Sequence, residues 1–380
     1  MVYVTFSSFR EGEVADSFIV ESVFEIVESR AEEDEPELLH AEIKRAIPAK
    51  KITDFIIFGF YDTKFRNDLS QTKLFSQLQS QRIDHIRKFS CYRFVILAMF
   101  SKNDISRYYD LSEVHYRKVW DLDKSRSLHY GYWDDSVKNF HEALLNINKV
   151  LAEIAEIKEG ENILDAGCGV GGSSLWLAKE KNCTVKGISL NTRQIDKANA
   201  LAKELGVHEK VSFEQKDYTN TFYPANSFDV VWAIESVCYA DDKSDFLREA
   251  NRVLKPGGRL IIADFFKRKD LDHEETTRVR KWAACWAIND FSTREEFDNK
   301  LKESSFHNII WEDATGAILP SAKKLYQSYF FGIFGAKLYQ LFNSNATELG
   351  KNSVHSAYLQ YNTLKKGLWK YQIVKAVKIH

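Results

Sequence analysis

The segment Ile163-Leu164-Asp165-Ala166-Gly167-Cys168-Gly169-Val170-Gly171-Gly172 constrains this chain more than any other. A short apolar run with an acid near its end reads as a buried strand. The glycines after it open a loop in which a ligand can press against the backbone. Such a loop binds a cofactor. A phosphate-gripping P-loop is disfavoured, because that motif needs a lysine and a hydroxyl after its glycines to reach phosphates and magnesium. Here a carboxylate precedes the glycines instead, which favours a nucleotide-like ligand that carries positive charge.

The rest of the composition narrows the classes. With 380 residues, 44% hydrophobic and 13% aromatic, the chain can bury one large core or two modest ones. A formal net charge of -1 gives no basic footprint, so nucleic acid is not an expected partner. Cys91, Cys168, Cys183, Cys238 and Cys285 are scattered without a C-x-x-C pair or a nearby histidine set. That pattern predicts neither a metal site nor a disulfide framework, and fits reduced, mostly buried thiols in a cytoplasmic protein. The start, Met1-Val2-Tyr3-Val4-Thr5-Phe6, lacks a basic leader region, and the longest apolar run, Phe94 to Phe100, is too short to span a bilayer. Stable membrane insertion is therefore not expected.

Residues 1–100 differ in character from the remainder of the chain. An acidic stretch (Glu25, Glu28, Glu32, Glu33, Asp34, Glu35, Glu37) gives way to basic sequence after Lys44, and no chemical motif is present. Leu74, Leu78, Ile83 and Ile86 give Leu69 to Phe89 a helical spacing, whereas Phe55-Ile56-Ile57-Phe58-Gly59-Phe60 reads as a strand. Met99 is the only methionine besides Met1 and stands directly before the sequence that carries function, so the catalytic unit is expected to start there, with an appended extension before it. From Asp104 to Ile157 the pattern is helical and aromatic, with Tyr108-Tyr109, His129-Tyr130-Gly131-Tyr132-Trp133 and an amphipathic run from Phe140 to Ile157. Residues 101–157 are accordingly read as an aromatic lid.

From Asn162 onward strand and helix patterns alternate at short intervals, which implies parallel strands joined by crossover helices. The strand candidates are Asn162–Ala166, Thr184–Ile188, Val211–Glu214, Phe228–Ala233, Arg259–Phe265, Asn308–Glu312 and Tyr371–Val377. Helical patterns occupy Ser173–Lys181, Thr192–Leu205 and Ser244–Val253. An apolar, aromatic insertion, Leu319 to Phe342, separates the last two strands. The expected fold is α/β: a doubly wound, Rossmann-like, seven-stranded sheet with one elaborated edge. As a helix the insertion would present aromatic side chains over the catalytic end.

Gly167-x-Gly169-x-x-Gly172 also satisfies a dinucleotide fingerprint. A dinucleotide site wants an acid at the end of the second strand, yet that strand ends Gly187-Ile188-Ser189-Leu190-Asn191, and a carboxylate at Asp165 would repel a pyrophosphate. S-adenosylmethionine, with its ammonium and sulfonium, suits Asp165 better. Two further features converge: Lys216-Asp217-Tyr218 after the third strand, and the turn Leu254-Lys255-Pro256-Gly257-Gly258 that launches the fifth. With these motifs in this order, the chain from Ser106 to its end resembles the class I S-adenosylmethionine-dependent methyltransferases.

Within that class His129-Tyr130-Gly131-Tyr132-Trp133, Gly169-Val170-Gly171-Gly172-Ser173-Ser174, Gly187-Ile188-Ser189-Leu190-Asn191 followed by Gln194, and Trp232-Ala233-Ile234-Glu235-Ser236-Val237-Cys238-Tyr239 look most like the tocopherol and sterol C-methyltransferases. Cyclopropane fatty acid synthases are more distant relatives. The resemblance implies that Asp165, Gly167, Cys168 and Gly169 cradle the cofactor, that Gln194 helps hold its ribose, and that Ser189 and Leu190 line the adenosine pocket. It also implies that Asp217 and Tyr218 meet the adenine, that Tyr130 covers the methionine end, and that Ala233 borders the site. Glu235 and Tyr239, just past the fourth strand, are the candidate catalytic pair, although related enzymes carry a histidine where this chain has Tyr239. The expected reaction is methyl transfer to a small, lipophilic acceptor such as a prenyl lipid, sterol-like, quinone-like or polyketide compound. N- or O-methylation of a polar metabolite, a non-catalytic S-adenosylmethionine-binding protein and a dehydrogenase are the alternatives. These features are compatible with an oligomer.

Overall fold

The computed structural model describes residues 2–5, 56–59, 97–98, 100–120, 122–342 and 349–379, divided between two units, Met1–Met99 and Phe100–His380. In the first, β1 (Val2–Thr5) pairs antiparallel with β2 (Ile56–Gly59) and parallel with β3 (Leu97–Ala98). β2 falls inside the strand read at Phe55–Phe60. The helical pattern at 69–89, Cys91 and the start at Met99 lie outside the described residues.

The second unit opens with α1 (Lys102–Val119), α2 (Leu122–Ser125) and α3 (Phe140–Ile154). Leu144, Ile147 and Leu151 of α3 follow the 3.6-residue period and are fully buried, each side chain contributing about 1.5–3 kcal/mol of apolar burial. There follow β4 (Asn162–Ala166), α4 (Gly172–Glu180), β5 (Thr184–Ser189), α5 (Thr192–Glu204), β6 (Val211–Gln215) and β7 (Phe228–Ile234). Next come α6 (Lys243–Val253), β8 (Leu254–Lys267), α7 (His273–Cys285), α8 (Arg294–Glu303), β9 (Phe306–Asp313), α9 (Thr315–Phe342), α10 (Leu349–Lys365) and β10 (Trp369–Lys378).

These strands form a seven-stranded sheet in the order β6-β5-β4-β7-β8-β10-β9. Strands β4 to β8 are parallel, because each crossover returns the chain to the same end of the sheet. β10 departs from the parallel expectation: it lies antiparallel between β8 and β9. The stretch read as a turn before the fifth strand is continuous with β8, with Leu254 paired to Phe228 and Arg259 to Val230 while the residues between them bulge. Strand order reverses at β4, flanked by β5 and β7, and in such sheets ligands bind outside the carboxyl ends of the strands at this switch point. No described helix is long and apolar enough to cross a membrane.

Candidate active site

A cavity opens at the switch point, and its wall comes from the tips of β4, β5 and β7 together with α1 and the segment after α2. Asp165, Gly167, Cys168 and Gly169 line it from β4, Ser189, Leu190 and Gln194 from β5 and α5, Tyr218 from the loop after β6, and Glu235 and Tyr239 from beyond β7. Gly167 has φ +99° and a Cβ there would meet the Ser236 Cβ at 2.3 Å, so only glycine lets β4 and the turn after β7 approach this closely. Ser236 Oγ completes that junction by donating to Ala166 O at 2.6 Å.

Three expected site residues lie elsewhere. Tyr130 is 1% exposed and packs edge-on against Phe265 and Tyr371 while its hydroxyl donates to Gln360 Oε1, so it belongs to the core rather than covering the cavity. Ala233 is fully buried on the opposite face of β7 from Ile234, which does line the cavity, as strand alternation requires. Asp217 is not on the wall. It is ion-paired with Lys102 of α1 and accepts from Thr219 N and Oγ1, each at 2.8 Å. Burial opposes its charge, but these partners outweigh burial and hold its carboxyl below the usual range.

Residues the motifs did not mark complete the wall. α1 contributes Ile105, Ser106 and Tyr109. It is held there because Asn191, the N-cap of α5, donates through Nδ2 to Ser106 O at 3.0 Å and to Asp110 Oδ1 at 2.9 Å. Lys197 pairs with Glu113, and Tyr109 Oη donates to Tyr239 Oη at 3.2 Å. Arg126, Leu128 and His129 enter from the segment after α2. The region read as a lid thus divides: α1 and residues 126–129 face the cavity, whereas α3 is core. The aromatic insertion does not cover the site in its described part. Ser321 of α9 bonds both the N–H and the C=O of Gly131, at 3.1 Å each, and Tyr326 stacks on Tyr361 of α10, so this end of α9 packs away from the cavity wall.

Electrostatically the cavity suits a cation. Asp165 is 3% exposed, and burial lifts its pKa to about 7 against the opposing hydrogen bond from Ser174 Oγ at 2.6 Å. Burial likewise raises Glu235 to about 8, opposed by Tyr130 N at 2.7 Å and Tyr371 Oη at 2.9 Å and assisted by the nearby charge of Asp264. Among the described residues neither acid has an ion-pair partner, and no cluster of His, Cys, Asp or Glu could hold a metal. Glu235 also has φ +48°, a left-handed backbone that a non-glycine residue keeps at a cost of about 1–3 kcal/mol and that recurs at functional sites.

Residues 164–262 match the family model described as a methyltransferase domain. Over 227 residues the chain is 37% identical to 27-O-demethylrifamycin SV methyltransferase of Amycolatopsis mediterranei, a match covering 58% of this chain and 80% of that protein. The chain belongs to the S-adenosylmethionine-dependent methyltransferases. It is also 34% identical over 175 residues to sterol 24-C-methyltransferase erg6 of Aspergillus fumigatus, spanning 46% of this chain and 45% of that one. Among solved structures the [4+2]-cyclase SpnF shares the fold, with a TM-score of 0.58 and 23% identity over 74% of this chain and 97% of that chain. This methyltransferase is therefore an enzyme that uses S-adenosylmethionine to methylate a small molecule, on a scaffold that also hosts other chemistry.

The raised carboxyl pKa values of the methyltransferase give a pH signature. In the unfolded chain Asp165 and Glu235 ionise near 4, whereas in the fold they keep protons to about 7 and 8. Between those limits the folded state binds more protons, so their contribution makes the ligand-free protein less stable as pH rises. A bound cationic ligand on this wall would favour the ionised forms and recover that loss. The rise in melting temperature caused by S-adenosylmethionine is expected to be larger at pH 8 than at pH 6, and larger in slope than for S-adenosylhomocysteine, which lacks the sulfonium. Identical shifts at both pH values would contradict it.

Proposed function

We propose that the methyltransferase domain, residues 101–380, methylates a small hydrophobic acceptor, with Asp165 serving the donor's cationic end and Glu235 facing the acceptor. S-adenosylmethionine supplies a methyl group on a sulfonium that a nucleophile takes by in-line displacement. The protein's part is then to hold the partners in near-attack geometry and to exclude water. Gly167, Gly169, Ser189, Leu190 and Gln194 form the donor side on this reading. Ile105, Tyr109, Tyr218, Ile234 and Tyr239 give the remaining wall its apolar and aromatic character.

The observation that carries the reading is the environment of Glu235. Its Oε1 accepts both Tyr130 N and Tyr371 Oη, which fixes the carboxyl and leaves Oε2 for the acceptor. With a pKa of about 8 it can take a proton from an acceptor hydroxyl at Oε2, or, ionised, stabilise positive charge that develops on an acceptor carbon. Tyr239, whose hydroxyl accepts from Tyr109, fixes α1 against this wall. Two relatives, one named for an O-demethylrifamycin and the other for a sterol methylated on carbon, support a hydrophobic acceptor of that kind.

The test is transfer of labelled methyl from S-adenosylmethionine, with the full chain, into fractionated extracts. Label is expected in the terpenoid, quinone or polyketide fraction. Label confined to the polar amine and phosphate-ester fraction, or retained wholly on the donor, would overturn the proposal.

A further inference from the structure

We propose that Gln360 of α10 is a positioning residue for the reaction: acting through Tyr130, it fixes the carboxyl of Glu235 on the cavity wall. This role presupposes the one assigned to Glu235 under the proposed function. Gln360 is fully buried, and each polar atom of its amide is matched. Nε2 donates to Ala322 O of α9 at 2.9 Å and to Ala357 O at 3.1 Å, and Oε1 accepts the Tyr130 hydroxyl at 2.8 Å. Two carbonyls face the nitrogen and can only accept, so the amide has one orientation and the phenol is the donor to its oxygen. Burying an amide is unfavourable unless its polar atoms are paired, whereas an apolar side chain would fill the same space with no such demand. A buried network satisfied this completely holds a single arrangement.

Tyr130 carries that arrangement to the cavity wall. Its hydroxyl is tied to α10, its ring meets Phe265 and Tyr371 edge-on at centroid distances of 5.9 and 6.2 Å, and its N–H donates to Glu235 Oε1 at 2.7 Å. The next residue is held as closely. A Cβ on Gly131 would meet the Ala143 Cβ of α3 at 2.7 Å, while Ser321 of α9 bonds Gly131 from the other side. Tyr371 of β10 supplies the second donor to Glu235 Oε1, at 2.9 Å. Glu235 itself has φ +48°, a conformation that persists only where surrounding contacts enforce it. The direction of its carboxyl therefore depends on Tyr130 and Tyr371, and the former depends on Gln360.

The titratable groups that act on Glu235 are Tyr109 of α1, Tyr130, Cys238 of the turn after β7, Asp264 of β8 and Tyr371 of β10. Burial and the Asp264 charge favour the protonated acid, whereas the Tyr130 N–H and the Tyr371 hydroxyl favour the carboxylate. Loosening Tyr130 weakens a bond made to the carboxylate, so the Glu235 pKa should climb above its value of about 8. A packing role for Gln360 predicts no such change.

The test is a pH titration, by nuclear magnetic resonance, of the full chain isotopically labelled at its glutamate carboxyl carbons, the Glu235 signal being the one lost in Glu235→Gln. Wild-type protein is expected to titrate near pH 8. Tyr130→Phe deletes only the hydroxyl and Gln360→Met removes the amide, and each should lower the melting temperature by leaving a buried partner unpaired. The double variant lacks both ends of the bond, so its loss should be smaller than the sum of the two. Its Glu235 midpoint should nonetheless stay displaced to higher pH. Its transfer of labelled methyl into the hydrophobic fraction of an extract should fall on the order of tenfold, with affinity for S-adenosylhomocysteine unchanged. Tyr130→Phe alone reads the same midpoint if the amide variants do not fold. A wild-type midpoint in Tyr130→Phe and in the double variant would overturn the positioning role and leave Gln360 a packing residue. Undiminished methyl transfer by Glu235→Gln would instead strike the role of Glu235 itself, a distinguishable failure, because the titration reads the surroundings of that carboxyl whether or not it acts on the acceptor.

Discussion

Glu235→Gln is expected to lower turnover by roughly 10²–10³-fold at pH 9 while leaving the affinity for S-adenosylhomocysteine within a few-fold, the loss typical of removing one group that stabilises charge developing in the transition state. The substitution is chemically narrow. Glutamine keeps an oxygen at Oε1 to accept from Tyr130 N and Tyr371 Oη, so the turn after β7 retains its anchor. What disappears is the capacity of the second oxygen to take a proton or bear charge. Because burial holds the Glu235 pKa at about 8, glutamine resembles the protonated acid that predominates at pH 6 and differs from the carboxylate that predominates at pH 9. The ratio of wild-type to variant turnover should therefore widen with pH across that range. Folding should not suffer, since the variant is spared the cost of a buried charge. Measured kcat equal to wild type at pH 9, with donor binding intact, would remove Glu235 from the chemistry.

Much of this arrangement is legible in one dimension, for reasons that also mark where legibility stops. The strands β4 to β8 announce themselves because a buried parallel strand must be a short apolar run, and the Asp165 to Gly172 loop because a ligand that touches backbone excludes side chains. The direction of β10 is not legible. A long connection through α9 and α10 can return the chain from either end of the sheet, so its orientation is set by packing. The same limit governs the site. Ser189 and Glu235 sit at strand tips and Gln194 in the helix turn that follows one, where topology assigns them to the ligand end, but Arg126 and His129 arrive from a segment whose docking depends on Gly169 and Gly172 being bare. Those two glycines signal that something approaches closely, without naming the partner. Asp217 illustrates the reverse case: its position after the third strand suggests adenine, while the partner the structure gives it, Lys102, lies more than a hundred residues upstream.

Lys243 gives the second large effect and carries a sequence signal of its own, a cation in the first turn of a helix, where the macrodipole disfavours it. At 7% exposure its ammonium is inside, donating to Cys238 O at 2.9 Å, Ala240 O at 2.6 Å and Asp290 O at 3.3 Å, which uses all three N–H groups. Asp264 Oδ2 holds the other side of the same residue, accepting from Cys238 N at 2.9 Å. The turn between Glu235 and Tyr239 is thus gripped by an acid and an ammonium, and burial lowers the pKa of one and raises that of the other, to about 6. Lys243→Met preserves length but removes the donor from three carbonyls and takes a nearby positive charge away from Asp264. The expected cost is on the order of 3 kcal/mol, the scale of leaving several buried carbonyls without their hydrogen-bond donor. For a unit of this size that corresponds to a fall in melting temperature of roughly 6–12 °C. Turnover should fall more than donor affinity, because the cradle on β4 and β5 is untouched while Glu235 and Tyr239 lose their frame. A melting temperature within about 2 °C of wild type would show that the buried ammonium contributes little to holding the turn, and that its three carbonyl contacts are replaceable by water.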